Sequence, residues 1–369
     1  MRRILFAVTH LMGSGHLVRT MAIARAVAAR GDQPIILAGG RPLATLDPAG
    51  LEIRWLPPVW VEDLDYSRLI TNDGRATERF LADRQTIALD HLAAIAPDVL
   101  VTETWPFGRG SLRTEFTALT TAARAQGAKV VASIRDIPEP PGTAKKIARA
   151  DAALDDIDAV LVHGDPTLIR FEEIWPLADR HRGKLQYTGY VAAPLPAVPP
   201  DRPGTGEVLV AVGQGAIGRP MLKVAAAAAG LSPHPWRLLI GGADAAEIAR
   251  ALTATTPAVV EPARPDYRIR LQTAACSVSL AGYNTVTEVM QSGRPALFIP
   301  MAEGGEQEQQ LRARALARAG WRTLDPGALT PASLAQAVDE TIAGPPPTRT
   351  VQQNGAAESA RLLAAAAPP

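Results

Sequence analysis

Cys276 is the only thiol in a chain of 369 residues. A lone cysteine excludes an intramolecular disulfide and a cysteine-rich zinc site, and it predicts a reducing, cytoplasmic setting. Net charge is scarce as well. Lys and Arg number 38 against 37 Asp and Glu, a formal charge of +1, which removes the electrostatic basis for a dedicated nucleic-acid binder. No apolar run approaches ~20 residues, so no membrane-spanning helix is expected, while peripheral contact with the inner face of a membrane stays open. Met1-Arg2-Arg3 and the apolar run behind it have the outline of a signal peptide. The run is short, it breaks at His10 and Gly13, and no small-residue cleavage site follows, so it reads as a first strand.

Apolar chain is plentiful. Hydrophobic residues make up 47% of a length that suits two domains of ~150–200 residues. Val/Ile/Leu-rich runs at 4–9, 34–38, 98–102, 129–134 and 158–162 alternate with Ala-rich helical patterns at 17–29, 76–95, 112–126 and 144–154. Strands that are apolar throughout are buried on both faces, and their alternation with helices predicts right-handed βαβ units in a parallel sheet. The proline-rich stretch 192–206 has no period and reads as a linker. Beyond it the alternation restarts, with strands at 207–212, 236–240, 258–261, 277–280 and 296–300 and helices at 221–229, 245–252, 267–274, 285–291 and 307–319. A last helical pattern covers 351–366. The expected organisation is a doubly wound domain over 1–191, the linker, a second over 207–345, and a segment 346–369 that returns to brace the first.

Each half opens with strand, glycine-rich loop and helix. The first loop is Gly13-Ser14-Gly15-His16, and the second is Gly213-Gln214-Gly215-Ala216-Ile217-Gly218. Glycines let the backbone approach a ligand, and the helix N-terminus adds unpaired N–H groups and a positive dipole end. A dinucleotide fingerprint also needs an acid closing the second strand, and neither half has one, which disfavours a nicotinamide oxidoreductase. A tight turn packing helix on strand explains either loop equally well.

More specific is Ala281-Gly282-Tyr283-Asn284-Thr285-Val286-Thr287-Glu288, followed by a strand ending at Pro300 and by Glu306-Gln307-Glu308-Gln309-Gln310 at the next helix start. An acid near a helix start has an ordinary role in complementing the dipole. Polar features after successive strands point instead to a ligand, because open α/β sheets bind along their strand C-termini.

With these residues the chain resembles the MurG-like, family 28-like group of GT-B glycosyltransferases. It is nearest to a branch of bacterial members marked by G-x-G-H-x-x-R (Gly13 to Arg19), Arg135-Asp136-Ile137, Tyr187-Thr188-Gly189-Tyr190-Val191, and Glu308-Gln309 with Arg312-Ala313. The resemblance implies two Rossmann-like domains facing across a cleft, and metal-independent, inverting transfer of a sugar from a nucleotide diphosphate, UDP above all. The acceptor would be a small molecule, a glycan or a lipid-linked sugar; no cofactor is required, and the oligomeric state is open. It further implies that Glu288 accepts the ribose hydroxyls. Gly282, Asn284 and Thr285 would meet the diphosphate, Glu308 and Gln309 the sugar hydroxyls, and Gly213, Gln214, Gly215 and Gly218 the nucleotide from the opposite side. The loop 302–305 is one residue longer than in MurG itself, and Glu308 stands where MurG has Gln, which leaves the donor sugar open.

Transfer needs a base for the acceptor's proton, and His16, titrating near neutrality, is the first candidate, with capping of its own helix as the alternative. Asp136, at a strand end, is the second. Gly13, Ser14, Gly15 and Arg19 would meet acceptor or phosphate; Arg19 could instead orient Asp136 or be a solvated helix residue. Trp105-Pro106-Phe107-Gly108-Arg109-Gly110 offers aromatics for an acceptor platform, or is an ordinary loop. The same G-x-G-H-x-x-R motif marks related UDP-sugar hydrolases, in which the histidine activates water, and a non-catalytic sugar-nucleotide binder is a third reading. Asp63-Leu64-Asp65 spells D-x-D but follows no strand end, and no metal site is predicted.

Overall fold

The structure is a computed structural model that describes residues 1–42, 47–48, 50–62, 65–213, 216–301, 307–345, 347 and 351–367. It divides into two compact units, one made of Met1–Ala193 with Val351–Pro369, the other of Pro194–Thr350.

In the first unit, strands β1 (Arg3–Val8), β2 (Gln33–Ala38), β3 (Glu52–Trp55), β6 (Val99–Glu103), β7 (Lys129–Arg135), β8 (Ala159–His163) and β9 (Leu185–Tyr187) form a seven-stranded sheet. Its order is β3-β2-β1-β6-β7-β8-β9 and every pair is parallel. A short hairpin, β4 (Ile70–Thr71) with β5 (Gly74–Arg75), stands apart from it. Helices α1 (Gly15–Ala29), α2 (Glu78–Ile95), α3 (Arg113–Ala125), α4 (Ala144–Leu154) and the short α5 (Asp179–Arg182) connect the strands. The sheet is apolar on both faces. Leu5, Leu100 and Val130 pack with Ala88 and Leu92 of α2 and Phe116 of α3, while Ile4, Phe6 and Val101 pack with Leu17 and Met21 of α1. This is why these strands carry near-continuous Val, Ile and Leu.

The second unit repeats the plan with β10 (Val208–Val212), β11 (Trp236–Ile240), β12 (Val259–Pro262), β13 (Cys276–Leu280), β14 (Ala296–Ile299) and β15 (Arg322–Thr323). The order is β12-β11-β10-β13-β14-β15, again all parallel. Its helices are α6 (Arg219–Ala228), α7 (Ala245–Thr253), α8 (Tyr267–Thr273), α9 (Tyr283–Ser292), α10 (Glu308–Arg318) and α11 (Pro331–Ala343). The last helix, α12 (Gly355–Ala366), belongs to the first unit, where Ala360 and Leu363 share a core with Leu17 and Ala24 of α1. Backbone hydrogen bonds from Tyr190 N–H to the Gln352 carbonyl (2.8 Å) and from Gly355 N–H to the Tyr190 carbonyl (3.1 Å) fasten that return.

In each sheet the winding reverses beside the first strand: between β1 and β6 in one unit, between β10 and β13 in the other. Such switch points splay the loops at the strand C-termini and open a crevice for ligands. The segments singled out from sequence emerge there. The loop carrying Gly13 follows β1, the one carrying Gly213 follows β10, and Gly282 follows β13. A buried ion pair braces the first crevice from behind. Arg84 of α2, fully buried, pairs with Glu115 of α3 and donates to the Pro57 carbonyl (2.8 Å) and to Thr9 Oγ1 (3.1 Å). A Cβ at Gly39 would run into the Arg84 guanidinium and Thr9, so glycine is required there.

Candidate active site

In the first unit the switch point brings together two residues that lie 87 positions apart. His16 begins α1 and Glu103 ends β6; His16 Nδ1 lies 2.7 Å from Glu103 Oε1. Arg19, one turn further along α1 and buried, donates to the same oxygen. Thr104 Oγ1 donates to Oε2 at 2.7 Å, and Arg109 Nη2 stands 3.5 Å from it. Burial alone would raise the Glu103 carboxyl, but His16, Arg19 and Arg109 outweigh it and hold the group well below the usual carboxylate range. An ionised Glu103 can only accept, so Nδ1 carries the proton and Nε2 keeps its lone pair. Nε2 has no hydrogen-bond partner among the described residues. Burial pushes His16 down to about 4, against the pull of Glu103 and with the help of Arg109 and Arg19. The imidazole is therefore neutral at physiological pH, although 18% of the side chain still meets solvent.

Arg109 has an unusual environment. Its side chain is 6% exposed, yet Nε and Nη2 make no hydrogen bond among the described residues. The nearby His10 Nδ1 is in the same state, while its Nε2 lies 2.8 Å from the Arg41 carbonyl. Arg19 and Arg109 both act on Glu103, and Arg135 and Arg19 act on Arg109, so several cations crowd this carboxylate. Paired with Glu103 in charge, Arg109 still has N–H donors without a hydrogen-bond acceptor, and buried donors in that state are rare.

Several sequence expectations are corrected here. His16 does not cap α1; its ring turns to Glu103. Arg19 is not a solvated helix residue. Trp105 and Phe107 are not an exposed platform: they are 5% and 1% exposed, Trp105 stacked on Phe116 and Phe107 set edge-on against Phe171 and Trp175. Their area is worth more in the core than in water, so they face inward and leave Arg109 as the loop's polar contribution. Asp136 is 1% exposed, accepting from the Ile137 N–H (2.8 Å) and the Tyr190 hydroxyl (3.2 Å), and its Cβ fills the space beside Gly164. Gly13 lies exposed in the turn with φ +63, and Ser14 and Gly15 lead into α1. Glu103 was not singled out from sequence; its signal was an acid closing an apolar strand.

In the second unit, Gly282 is the N-cap of α9 without a side-chain cap, and a Cβ there would meet nothing within 4 Å. The first turn of α9 is therefore left without a side-chain cap. Asn284 is exposed, Thr285 is half-buried, and Glu288 follows on the same face, its side chain 27% exposed. Burial raises the Glu288 carboxyl, opposed by Arg268, whose Nε lies 3.4 Å away. Glu308 and Gln309 are buried and turned toward the start of this loop. Gln309 Oε1 accepts the Ala281 N–H (3.2 Å), while Arg312 donates to the Ala281 carbonyl (2.7 Å) and to Glu308 (2.7 Å). Gln309 and Arg312 thereby hold the Ala281 backbone that enters the glycine turn, with Glu308 holding Arg312. Gly213 is exposed, and Gly218 is buried where a Cβ would strike Val212, so the latter glycine serves helix–strand packing. Gln214, Gly215, Asp63 and the loop 302–305 lie outside the described residues. Asp65 is exposed on Ser67. Among the described residues no three His, Cys, Asp or Glu side chains gather as metal ligands, and no helix is long and apolar enough to cross a membrane.

Residues 237–365 match the glycosyltransferase family 28 C-terminal domain. A transferase of Methylobacterium sp. (strain 4-46), named as UDP-N-acetylglucosamine--N-acetylmuramyl-(pentapeptide) pyrophosphoryl-undecaprenol N-acetylglucosamine transferase, is 29% identical over 245 residues, 58% of this chain. That match spans 65% of the relative, just under two thirds of its length. Among solved structures, Acinetobacter baumannii MurG superposes with a TM-score of 0.63 at 18% identity, covering 98% of this chain and 99% of that one. The glycotransferase of kitacinnamycin gives 0.65 at 18% identity over 100% and 99%. Spinosyn rhamnosyltransferase SpnG complexed with thymidine diphosphate gives 0.61 at 18% identity over 99% and 96%. The resemblance read from the motifs is thereby borne out: the chain has the GT-B glycosyltransferase fold, is similar to MurG, and carries a glycosyltransferase family 28 C-terminal domain.

Proposed function

We propose that the protein transfers a sugar from a nucleotide diphosphate, UDP-linked, to an acceptor hydroxyl with inversion, the second unit taking the donor and the first the acceptor. The observation that carries this reading is the neutral His16, anchored through Nδ1 to Glu103 with its other nitrogen free. In the reaction the acceptor oxygen forms the new bond to the anomeric carbon while its proton passes to His16 Nε2. The bond from that carbon to the diphosphate oxygen breaks, and the electron pair leaves with the nucleotide. Glu103 orients the imidazole and stabilises the imidazolium that forms, the role a carboxylate plays in any base-orienting pair. Asp136, buried and bonded to Tyr190, braces the strand end rather than reaching a substrate.

On the donor side, Glu288 accepts the ribose hydroxyls, and Gly282, Asn284 and Thr285 at the open N-terminus of α9 receive the diphosphate, whose growing charge the helix end stabilises. Arg109, ion-paired with Glu103 but with two N–H donors lacking a hydrogen bond, favours an acceptor that bears a phosphate or carboxylate close to its reacting hydroxyl. The Methylobacterium relative, named for a pyrophosphoryl acceptor, supports the same chemistry.

The test is nucleotide release from UDP- and dTDP-sugars with and without phosphorylated and neutral hydroxyl acceptors. Release that depends on an acceptor, with the sugar recovered on it, is the expected result. Release at tens per second that no acceptor alters would overturn the transferase reading.

A further inference from the structure

The ribose carboxylate assigned above is not held by α9 alone. Arg268, on α8, stands beside it, with Nε 3.4 Å from Glu288 Oε1. The same guanidinium donates from Nη2 to Gln291 Oε1 (3.3 Å), one turn past Glu288 on α9, and from Nη1 to the Pro194 carbonyl (3.1 Å). Two hydrogen bonds from its Nη atoms hold the guanidinium, and its Nε meets Glu288 as an ion pair without a hydrogen bond. The rest of α8 is fixed in the same way. Gln272 Nε2 donates to the Pro196 carbonyl (2.9 Å), Thr273 Oγ1 donates to the Pro203 carbonyl, and Gly204 packs on Arg270.

We propose that Arg268 is a positioning residue for nucleotide binding: it holds the Glu288 carboxylate aimed at the ribose and ties it to Gln291 and to the Pro194 end of the proline-rich segment. The proposal rests on the assignment of Glu288 to the ribose.

The physical need is plain. A carboxylate can take two hydroxyl hydrogens, whereas a protonated acid has one acceptor oxygen fewer and an O–H that must find its own partner. Burial already favours the protonated form of Glu288, and Arg268 is the charged group that opposes it. Tyr267, the other titratable side chain facing Glu288 from α8, is pushed upward by burial and by Glu288 itself, so it stays a neutral phenol and cannot replace the cation.

The test is UDP titration by calorimetry between pH 5.5 and 8.5 on the full chain, in wild type, Arg268→Gln, Arg268→Lys, Glu288→Gln and the double variant Arg268→Gln/Glu288→Gln. Loss of the cation should move the acid limb of binding toward neutrality. Arg268→Gln should then lose severalfold more affinity at pH 5.5 than at pH 8.5, since the ionised fraction of a carboxyl falls up to about tenfold for each unit its pKa rises. Arg268→Lys, which keeps the charge, should recover most of the loss at pH 6. In the Glu288→Gln background the Arg268 substitution should add nothing and the pH dependence should vanish. A loss in Arg268→Gln that is uniform across pH and persists in that background would make Arg268 merely structural and overturn the proposal. Unchanged UDP affinity in Glu288→Gln would instead sink the ribose assignment itself, and Arg268's role with it.

Discussion

His16 Nδ1 and Glu103 Oε1 stand 2.7 Å apart across the winding reversal of the first sheet, one on the helix after β1, the other closing β6. If this pair supplies the base, His16→Ala should lower turnover by ~10²–10⁴-fold and leave UDP affinity within a factor of two. Glu103→Gln keeps the shape but loses the charge, and should cost ~10²-fold or more. Groups that act as one unit are not additive, so the double variant should fall little below the worse single one. Steady-state kinetics beside UDP calorimetry separate this from a structural defect, which would depress both readouts.

The depressed histidines set a pH signature. His16 is held at about 4 by burial, so the base stays unprotonated far below neutrality. The acid limb of kcat/KM should begin below pH 5, instead of near the ordinary imidazole value of about 6.5. A limb near 6.5 would mean that the working base is a solvated group.

Stability should respond over a related window. His163, buried between Ser133 Oγ (2.7 Å) and Thr188 Oγ1 (2.9 Å), is lowered to about 3, and His16 to about 4. Both have folded values below the unfolded one, so the folded state binds fewer protons. Their contribution is fully present above pH ~6.5 and is lost as pH falls through 5 toward the folded values. Urea midpoints should drop steadily from pH 7 to pH 4, and His163→Gln, which cannot take up the proton, should flatten the slope.

Arg109 offers a separate test of acceptor chemistry. Arg109→Gln should raise KM for a phosphate-bearing acceptor by roughly tenfold or more, the scale of one lost charge-assisted hydrogen bond, and leave UDP affinity alone. Inorganic phosphate should raise the unfolding temperature of wild type more than that of the variant. Equal shifts would detach Arg109 from any anion.

Behind the first crevice, Arg84 and Glu115 form a buried pair whose halves cannot be removed singly without leaving a naked charge. Arg84→Met should cost about 3–5 kcal/mol, and restoring neutrality with Arg84→Met/Glu115→Leu should recover much of it. Chemical denaturation measures both.

The strands of both sheets were legible because burial on two faces writes them as unbroken Val, Ile and Leu. The edge strands β3, β9 and β15 were not: Glu52 and Trp55 of β3 are exposed, and β9 and β15 are only three and two residues long. α11 was passed over although Thr330, Pro331 and Ser333 form a capping box with proline at the helix start. In the candidate site, local motifs pointed to His16, Gly282 and Glu288. Glu103 was missed because its meaning depends on β6 lying beside β1, a pairing across most of a hundred residues that no local pattern carries. Trp105 and Phe107 misled for the converse reason: flanking glycine and arginine suggest a surface loop, and only the packed Phe116, Phe171 and Trp175 reveal where the rings go.

The return of α12 to α1 has a consequence for synthesis. The second unit is an insertion in the first, leaving after Ala193 and rejoining at Val351. As the chain emerges from the ribosome, the seven strands of the first sheet are all made early, yet the face of α1 that receives Ala360 and Leu363 stays bare until the second unit has been translated. At ~5–20 residues per second, the 157 or so intervening residues take roughly 8–30 s. The inserted unit is therefore fully synthesised before α12 is available, and throughout that interval the face of α1 that receives α12 lacks its apolar cover.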